Sequence, residues 1–572
     1  MLDFQALKKN LKKETKGLKS IKLALLGDTA SQLLHQAIKG YGVEFNLNVD
    51  IFEADYNQID YQVYNPTSEL YAFKPDYIII IRATEHLLNS FYKCQSRVGY
   101  AEWILTDTQN LFNELKTKSG ATIVTNTFIE INDTAFGNYA LKTDVSFIYQ
   151  LRKINMGLMD MARQNKSLFL VDAAGLSATK GYEFTFDPKM YINADMVFNI
   201  DFLPLLARNI IQIVNTLLGN FKKCLILDLD NTVWGGIIGD DGMEGIQIGH
   251  LGIGKAFTQL QLWCKELKKR GIVLAVCSKN TEEIAKEPFI NHPEMELRLD
   301  DIAIFVANWE NKIDNIKYIQ GVLNIGFDSM VFLDDNPFER EMVKISIPDL
   351  AVPELPEDPA EYTLYLRSLN LFETASITEE DEQRTAQYQQ EANRNILQNS
   401  FADEKAFLNN LEMVSVVKTF DKFNIPRVIQ LIHRSNQFNL RTIRYSDTEI
   451  EDISISPDYF TFAFTLADKF GNHGLISIII LKKMANSTLF IDTWIMSCRV
   501  LKRGMENSTL NTIVELSRTN GFKKIEGEYI PTKKNDLVKN HYKKMGFILE
   551  NGKWILHVEE YSNRETFINN TI

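Results

Sequence analysis

The stretch Lys222-Lys223-Cys224-Leu225-Ile226-Leu227-Asp228-Leu229-Asp230-Asn231-Thr232-Val233-Trp234-Gly235-Gly236, running on to Asp241, decides how the chain is read. Cys224 to Leu227 is an apolar run of strand length. Its end delivers two carboxylates, Asp228 and Asp230, where a buried strand meets a loop. Open α/β sheets place their chemistry at such strand ends. Side chains alternate along a strand, so two residues spaced by one face the same way. Two like charges in one small site call for a cation, a shared proton or a phosphate. The alternative is a turn whose acidic residues cap the next segment.

Later stretches repeat the arrangement. Ile272 to Cys277 is a second apolar strand closing on Ser278-Lys279-Asn280. Asn308-Trp309-Glu310-Asn311-Lys312 follows, and a further strand, Met330 to Leu333, ends in Asp334-Asp335-Asn336-Pro337. In this order the four segments resemble the motifs of the haloacid dehalogenase (HAD) superfamily of phosphoryl-transfer enzymes. The resemblance implies Asp228 as nucleophile, Asp230 as general acid and base, Ser278 as phosphate-binding hydroxyl and Lys312 as the neutralising cation. A phosphoryl group in flight spreads negative charge over its equatorial oxygens, so a carboxylate can approach only where a cation and donors offset the repulsion. Mg²⁺ suits an all-oxygen site made by Asp228, the Asp230 carbonyl and either Asp334 or Asp335. Asp334 is preferred because it comes first at the strand end, and Asp335 stays open.

A chain of 572 residues exceeds what one core usually holds and predicts about three domains. Composition is that of a soluble globular protein, 45% hydrophobic and 24% charged, with no run long enough to span a bilayer. Met1 to Lys19 is polar and Lys-rich, unlike a signal peptide. Cys94, Cys224, Cys264, Cys277 and Cys498 show no Cys-x-x-Cys spacing, which argues for a reducing, cytoplasmic setting and against structural zinc. A formal net charge of -12 speaks against non-specific nucleic-acid binding.

Residues 1–215 alternate short apolar strands with helical stretches: Ile21 to Leu26, Val49 to Phe52, Tyr77 to Ile81, Ala121 to Val124 and Leu168 to Val171. That pattern predicts a doubly wound parallel sheet. Gly27-Asp28-Thr29 resembles the Gly-Asp-Ser nucleophile turn of the SGNH hydrolases, with Thr29 at the nucleophile position. The Asp-x-x-His base is absent, and Asp172-Ala173-Ala174-Gly175 stands nearest. A hydroxyl without a base is not activated, so an SGNH-like fold without hydrolase activity is expected. The phosphoryl-transfer domain is expected over 220–355, followed by a helical linker over 356–410. Pro353, Pro356 and Pro359 break regular structure there, and Thr378-Glu379-Glu380-Asp381 reads as a capping box opening a spacer helix.

Residues 411–572 are α+β in pattern. Phe460 to Leu466, Leu475 to Leu481 and Leu489 to Trp494 read as antiparallel strands, with a helix from about Gly504 to Thr519. Between them lies Arg499-Val500-Leu501-Lys502-Arg503-Gly504, where the acetyltransferase (GNAT) fold carries its Arg-x-x-Gly-x-Gly/Ala pyrophosphate loop; Lys502 stands at the first glycine. Backbone donors at a helix start, with Arg499, Lys502, Arg503 and Gly504, suit a phosphate or a phosphopantetheine arm. The alternative is a solvated basic turn.

These three units in this order, with Trp234-Gly235-Gly236, Asn436-Gln437-Phe438-Asn439, Ser497-Cys498-Arg499 and Pro531-Thr532-Lys533-Lys534-Asn535, resemble the FkbH-like family of HAD subfamily IIIC across nearly the whole chain. The resemblance implies removal of phosphate from 1,3-bisphosphoglycerate and loading of a glyceryl group onto an acyl carrier protein. A thioester route needs a sulfur. Cys498, beside a basic turn that would favour the thiolate, is one candidate, and Cys277, next to Ser278, is its rival. Two other classes stay open: a plain phosphatase of a small sugar or metabolite phosphate in secondary-metabolite or surface-polysaccharide biosynthesis, and a non-catalytic scaffold. The intact Asp228, Asp230, Ser278 and Lys312 set weighs against the scaffold. An acidic carrier protein would need a local positive face, for which Lys533, Lys534, Lys539, Lys543 and Lys544 are the candidates.

Overall fold

The computed structural model describes residues 2–377, 384–398, 401, 403–497, 500–532, 534–550 and 552–571. It divides into two compact units, Met1–Asn215 with Ser446–Glu449, and Thr216–Tyr445 with Ile450–Ile572. No helix among the described residues is long and apolar enough to cross a membrane.

In the first unit, β1 (Lys19–Gly27), β2 (Leu47–Glu53), β3 (Tyr77–Ile81), β4 (Thr122–Asn126) and β5 (Leu168–Val171) form a sheet ordered β2-β1-β3-β4-β5. Every pair is parallel, as the alternation of apolar runs and helical stretches predicts. β3 is buried along its whole length, which is why it reads as an unbroken Tyr-Ile-Ile-Ile-Ile run. The chain steps from β1 outward to β2 and then back across to β3, so the strand order reverses between β1 and β3.

The second unit opens with a parallel four-stranded sheet, β8-β7-β6-β9. Its strands are β6 (Cys224–Leu227), β7 (Val273–Ser278), β8 (Ile302–Ala307) and β9 (Met330–Leu333). β8 is the one strand here absent from the sequence expectations, although Ile-Ala-Ile-Phe-Val-Ala has the same apolar character. Both faces of this sheet are covered. One carries Leu225, Leu227, Leu274 and Phe257; the other carries Ile226, Val273, Ile316 and Phe332. Full burial of such side chains stabilises by roughly 1.5–3 kcal/mol each.

The stretch expected to be a spacer is instead packed onto its neighbours. Tyr362, Leu366 and Phe372 join the core over the first face of the sheet. Along the helix Arg384–Gln398, Arg384 donates to the Gly271 carbonyl and Gln389 to the Ile302 carbonyl. Arg394 forms two charge-assisted bonds of 2.7 and 2.8 Å with Asp468. The capping box at residues 378–381 lies outside the described residues.

The remaining sheet is mixed. Its strands are β10 (Met413–Lys418), β11 (Phe438–Asn439), β12 (Tyr459–Asp468), β13 (Gly471–Met484), β14 (Thr488–Met496), β15 (Lys524–Gly527), β16 (Ile548–Glu550), β17 (Lys553–His557) and β18 (Ile568–Thr571). β12, β13 and β14 pair antiparallel, as expected, and β14 pairs parallel with β15 over Thr488 to Ile491. Beyond that, at Ile495 and Met496, β14 takes β11 as its partner. The helix Met505–Thr519 follows, one residue later than expected.

This region grips the parallel sheet at the amino ends of β6 and β9. Lys534 Nζ pairs with Asp328 and bonds Asn220 Oδ1 at 2.9 Å. Asn436 donates to the Gly219 carbonyl at 2.8 Å. Gly219 has φ +85°, and a Cβ there would lie 2.4 Å from the His433 carbonyl oxygen, so the close approach demands glycine.

Candidate active site

All the expected phosphoryl-site side chains sit at the carboxyl ends of the parallel strands. β6 hands over to Asp228, whose backbone N–H bonds the Leu333 carbonyl at 2.9 Å and so ties the ends of β6 and β9 together. Ser278 closes β7, and Asp334 and Asp335 follow β9. Lys312 begins the helix Lys312–Leu323, capped by the Asn311 side chain on the Ile313 N–H at 2.9 Å. β8 carries the chain to that helix.

At the centre is a buried triad. Lys312 Nζ lies 3.0 Å from Asp228 Oδ2 and 2.7 Å from Asp334 Oδ2, with none of the three side chains more than 8% exposed. Burial pushes the Asp228 carboxyl up to about 6, against the opposing pull of Lys312. Burial likewise raises Asp334 and Asp335. For Lys312, burial favours the neutral amine, but Asp228 and Asp334 together outweigh it and hold the ammonium charged. Carboxylate oxygens of Asp228, Asp334 and Asp335 lie within 4.8 Å of one another. Three hard oxygen donors this close fit a divalent cation of the Mg²⁺ type. Asp334 is already held at both oxygens, by Lys312 and by the Asn336 N–H at 2.9 Å.

Asp230 stands apart from that cluster. Its Oδ1 accepts from the Trp234 indole at 2.9 Å and the Ile238 N–H at 3.0 Å, and its Oδ2 accepts from Asn280 at 2.8 Å. The two aspartates of the first strand end therefore have separate roles, Asp228 against the lysine and Asp230 in a cradle of neutral donors. Asn280 also approaches Ser278 Oγ at 3.4 Å, linking the Asp230 carboxylate to the Ser278 hydroxyl.

Three supporting residues escaped the sequence reading as site residues. Trp234 and Asn280 were within the motifs but without assigned contacts. Arg340 carried no signal at all: its guanidinium donates to the Asp334 and Asp335 carbonyls at 2.8 and 2.6 Å and to Glu354 at 3.1 Å. The Thr232 hydroxyl accepts from the Asp335 N–H at 3.1 Å, pinning the same loop.

The other sequence candidates fall elsewhere. Cys277 is fully buried, and burial pushes its thiol far above the usual range, the opposite of an activated thiolate. Cys498, Arg499 and Lys533 lie outside the described residues. Lys502 is exposed with a left-handed φ of 66°, the conformation for which a glycine was expected at that position. Gly504 caps the following helix with φ 76°. Arg503, expected to face a phosphate, is buried instead, 2.9 Å from Asp468, which also holds Arg394 and His473. Lys534 is engaged with Asp328 as described, so it is not a free positive face, whereas Lys539, Lys543 and Lys544 are exposed.

The family model described as FkbH, N-terminal domain, matches residues 22–215. The crystal structure of the N-terminal part of the protein BF1531 from Bacteroides fragilis, containing a phosphatase domain and complexed with Mg, is 51% identical; the match covers 66% of this chain and 100% of that one, with a TM-score of 0.64. Two acetyltransferases resemble about a quarter of the chain. The ribosomal-protein-S18-alanine N-acetyltransferase from Escherichia coli is 10% identical over 27% of this chain and 99% of its own, at a TM-score of 0.21. The spermidine N-acetyltransferase from Vibrio cholerae, in complex with CoA and spermine, is 15% identical over 26% and 97%, also at 0.21. No curated protein matches.

Proposed function

The chain belongs to the FkbH-like family, and from that premise we propose that it is a Mg²⁺-dependent phosphatase of the HAD type acting on a small phosphorylated metabolite. The observation that carries the reading is the buried Asp228–Lys312–Asp334 arrangement beside Asp335. Asp228 Oδ attacks phosphorus, the bond from phosphorus to the leaving oxygen breaks, and Asp230 protonates that oxygen. Asp230 then takes a proton from the water that releases phosphate from Asp228. Ser278 and Lys312 hold the phosphoryl oxygens throughout, so charge is met by groups already in place. Asp228, the Asp230 carbonyl, Asp334 and Asp335 would hold Mg²⁺, which when bound supplies positive charge at the phosphoryl group.

The finer reading is that the substrate is 1,3-bisphosphoglycerate-like and that the glyceryl group passes to the phosphopantetheine arm of an acyl carrier protein. It rests on the family resemblance. Membership of subfamily IIIC rests there too, while the SGNH-like and GNAT-like assignments rest on the Gly27-Asp28-Thr29 turn and the Arg499–Gly504 loop, and a cytoplasmic location on the cysteine spacing. The loop Lys502–Gly504, with the exposed Lys539, Lys543 and Lys544, supports a role for the C-terminal region in meeting the acceptor, and Cys498 is proposed as the acylated sulfur. A phosphatase without transfer is the second reading, favoured by a phosphoryl site whose described side chains are complete by themselves. Intact-mass analysis of the protein and carrier-protein candidates after incubation with 1,3-bisphosphoglycerate and Mg²⁺ tests both. A glyceryl adduct supports transfer. Free phosphate with no adduct leaves the phosphatase, and neither product refutes both.

A further inference from the structure

The first unit contains a constructed polar site that the sequence does not reveal. Asp28 follows β1, and His86 follows β3 on the helix Thr84–Lys93. The two therefore meet at the carboxyl ends of the strands between which the sheet order reverses, the position where open α/β sheets bind ligands. His86 is bracketed by carboxylates: Asp28 Oδ2 lies 3.8 Å from Nδ1, and Asp195 Oδ1 lies 3.2 Å from Nε2. Asp28 is fixed by the Ala83 N–H at 2.9 Å. Asp195 has a left-handed φ of 49°, and its carbonyl accepts from the Thr29 hydroxyl at 2.6 Å. Thr29, the residue at the expected nucleophile position, is thus buried and spent on structure. The second Asp195 oxygen is shut off from water without a well-aligned donor, and the Tyr56 hydroxyl leans on the same carboxylate, which pushes that hydroxyl's titration up.

His86 and Asp195 open into a cavity of about 980 Å³. Its walls include Tyr56, Trp103 and Tyr191, and of these Tyr56 is 53% and Trp103 58% exposed. Solvent-facing aromatic rings beside a polar floor mark a binding surface rather than a core. Asn89 and Gln95 add amides, and Lys93 and Asp195 give the lining charges of both signs. A phosphate or carboxylate entering would meet the Asp195 carboxylate, and an organic cation would meet the Lys93 ammonium. A neutral molecule rich in hydroxyls meets neither conflict. Its hydroxyls can donate to Asp195 Oδ1, the oxygen of that carboxylate not shut off from solvent, and exchange hydrogen bonds with the imidazole and amides, while its C–H faces lie on the electron-rich ring faces.

We propose that this cavity binds a neutral polyhydroxylated ligand, a sugar or the end of a glycan, through His86, Asp195, Asn89 and the aromatic walls. It is independent of the phosphoryl site, and its ligand need not carry phosphate. The test is to apply the labelled full-length chain to an array of neutral, sialylated and sulfated oligosaccharides, then to titrate the strongest neutral binder. Binding of neutral glycans that weakens tenfold or more in both His86→Gln and Trp103→Ala, with phosphate release unchanged, supports the site. Trp103 is largely exposed, so its variant separates lost recognition from lost folding. Competition by the free monosaccharide distinguishes a free sugar from a glycan end. No glycan bound, anionic glycans alone, or equal binding by parent and variants overturns the proposal.

Discussion

Replacing Lys312 with Met keeps the length of the side chain and removes its charge. Two carboxylates, at 3.0 and 2.7 Å from the ammonium, are then left buried together without a counter-ion. Removing one partner of a buried ion pair costs about 3–5 kcal/mol, because the other charge stays desolvated. At roughly 2.1 cal/mol/K of unfolding entropy per residue, a cooperative unit of this size moves its midpoint by about 1–2 °C per kcal/mol, so a fall of roughly 3–10 °C is expected in Mg²⁺-free buffer. Asp228, already pushed up to about 6 by burial, will bind a proton more readily in the variant. Its folded value then lies further above the unfolded one, so folding takes up a proton and the stability it contributes is lost as pH rises through that folded value. The deficit should therefore be larger at about pH 8 than at about pH 5. Mg²⁺ should stabilise the variant more than the parent, since it relieves repulsion that the lysine otherwise relieves; saturation at a hundredfold excess over its dissociation constant alone is worth about 2.7 kcal/mol. Calorimetry of both proteins at the two pH values, with and without Mg²⁺, measures all of this. An unchanged midpoint without Mg²⁺, or equal Mg²⁺ shifts in the two proteins, would refute the reasoning.

Other changes separate the remaining roles. Asp228→Asn should cut phosphate release by at least about a thousandfold with the fold intact, because an amide is no nucleophile; release at the parental rate would remove Asp228 from that role. Changing Asp334 and Asp335 together to Ala should abolish stimulation by Mg²⁺, and undiminished metal dependence would move the metal elsewhere. Trp234→Phe keeps the buried ring and deletes one donor to Asp230, a bond to a charged acceptor worth about 1.5–3 kcal/mol, so kcat should fall about tenfold or more while the unfolding midpoint moves little. Arg394→Met should destabilise the second unit above about pH 4 and matter less in strong acid, because its hydrogen bonds, with that of His473, hold the Asp468 carboxyl well below its ordinary value despite burial. A deficit that grew as the pH fell would contradict that sign.

Much of this could be read from the chain because strand ends and chemistry coincide. The apolar runs before Asp228, Ser278 and Asp334 mark buried parallel strands, and periodicity alone places those residues at their ends. β8 was equally legible from Ile302 to Ala307. Arg340 was not: its value lies in two carbonyls five and six residues back along the chain, a contact that depends on how a helix packs on a loop. The cradle of Asp230 was half legible, since Trp234 and Asn280 lay inside the motifs while the bonds joining them depend on loop closure. His86 was the hardest to see. It lies 58 residues beyond Asp28 on an ordinary amphipathic helix, and only the order in which β1 and β3 pair brings the two together. The connecting helix was legible and its packing was not: a polar helix with few apolar residues reads as solvated, yet its arginines and glutamines meet backbone carbonyls and a buried carboxylate on either side.

The grip of Lys534 on Asp328 has a consequence for traffic. The C-terminal region holds the parallel sheet where β6 and β9 begin, and the phosphoryl chemistry happens where they end. Four strand residues separate those ends by about 13 Å even through the filled sheet, a route no metabolite can take. Under the proposed transfer reading, an activated acyl group leaving Asp228 would have to travel around the outside to reach that region. A mixed anhydride released on that path would meet water first, so the proposed transfer would call for a flexible tether that visits the catalytic mouth and carries its load away. Under that reading, the reach of the acceptor's tether would matter alongside its affinity.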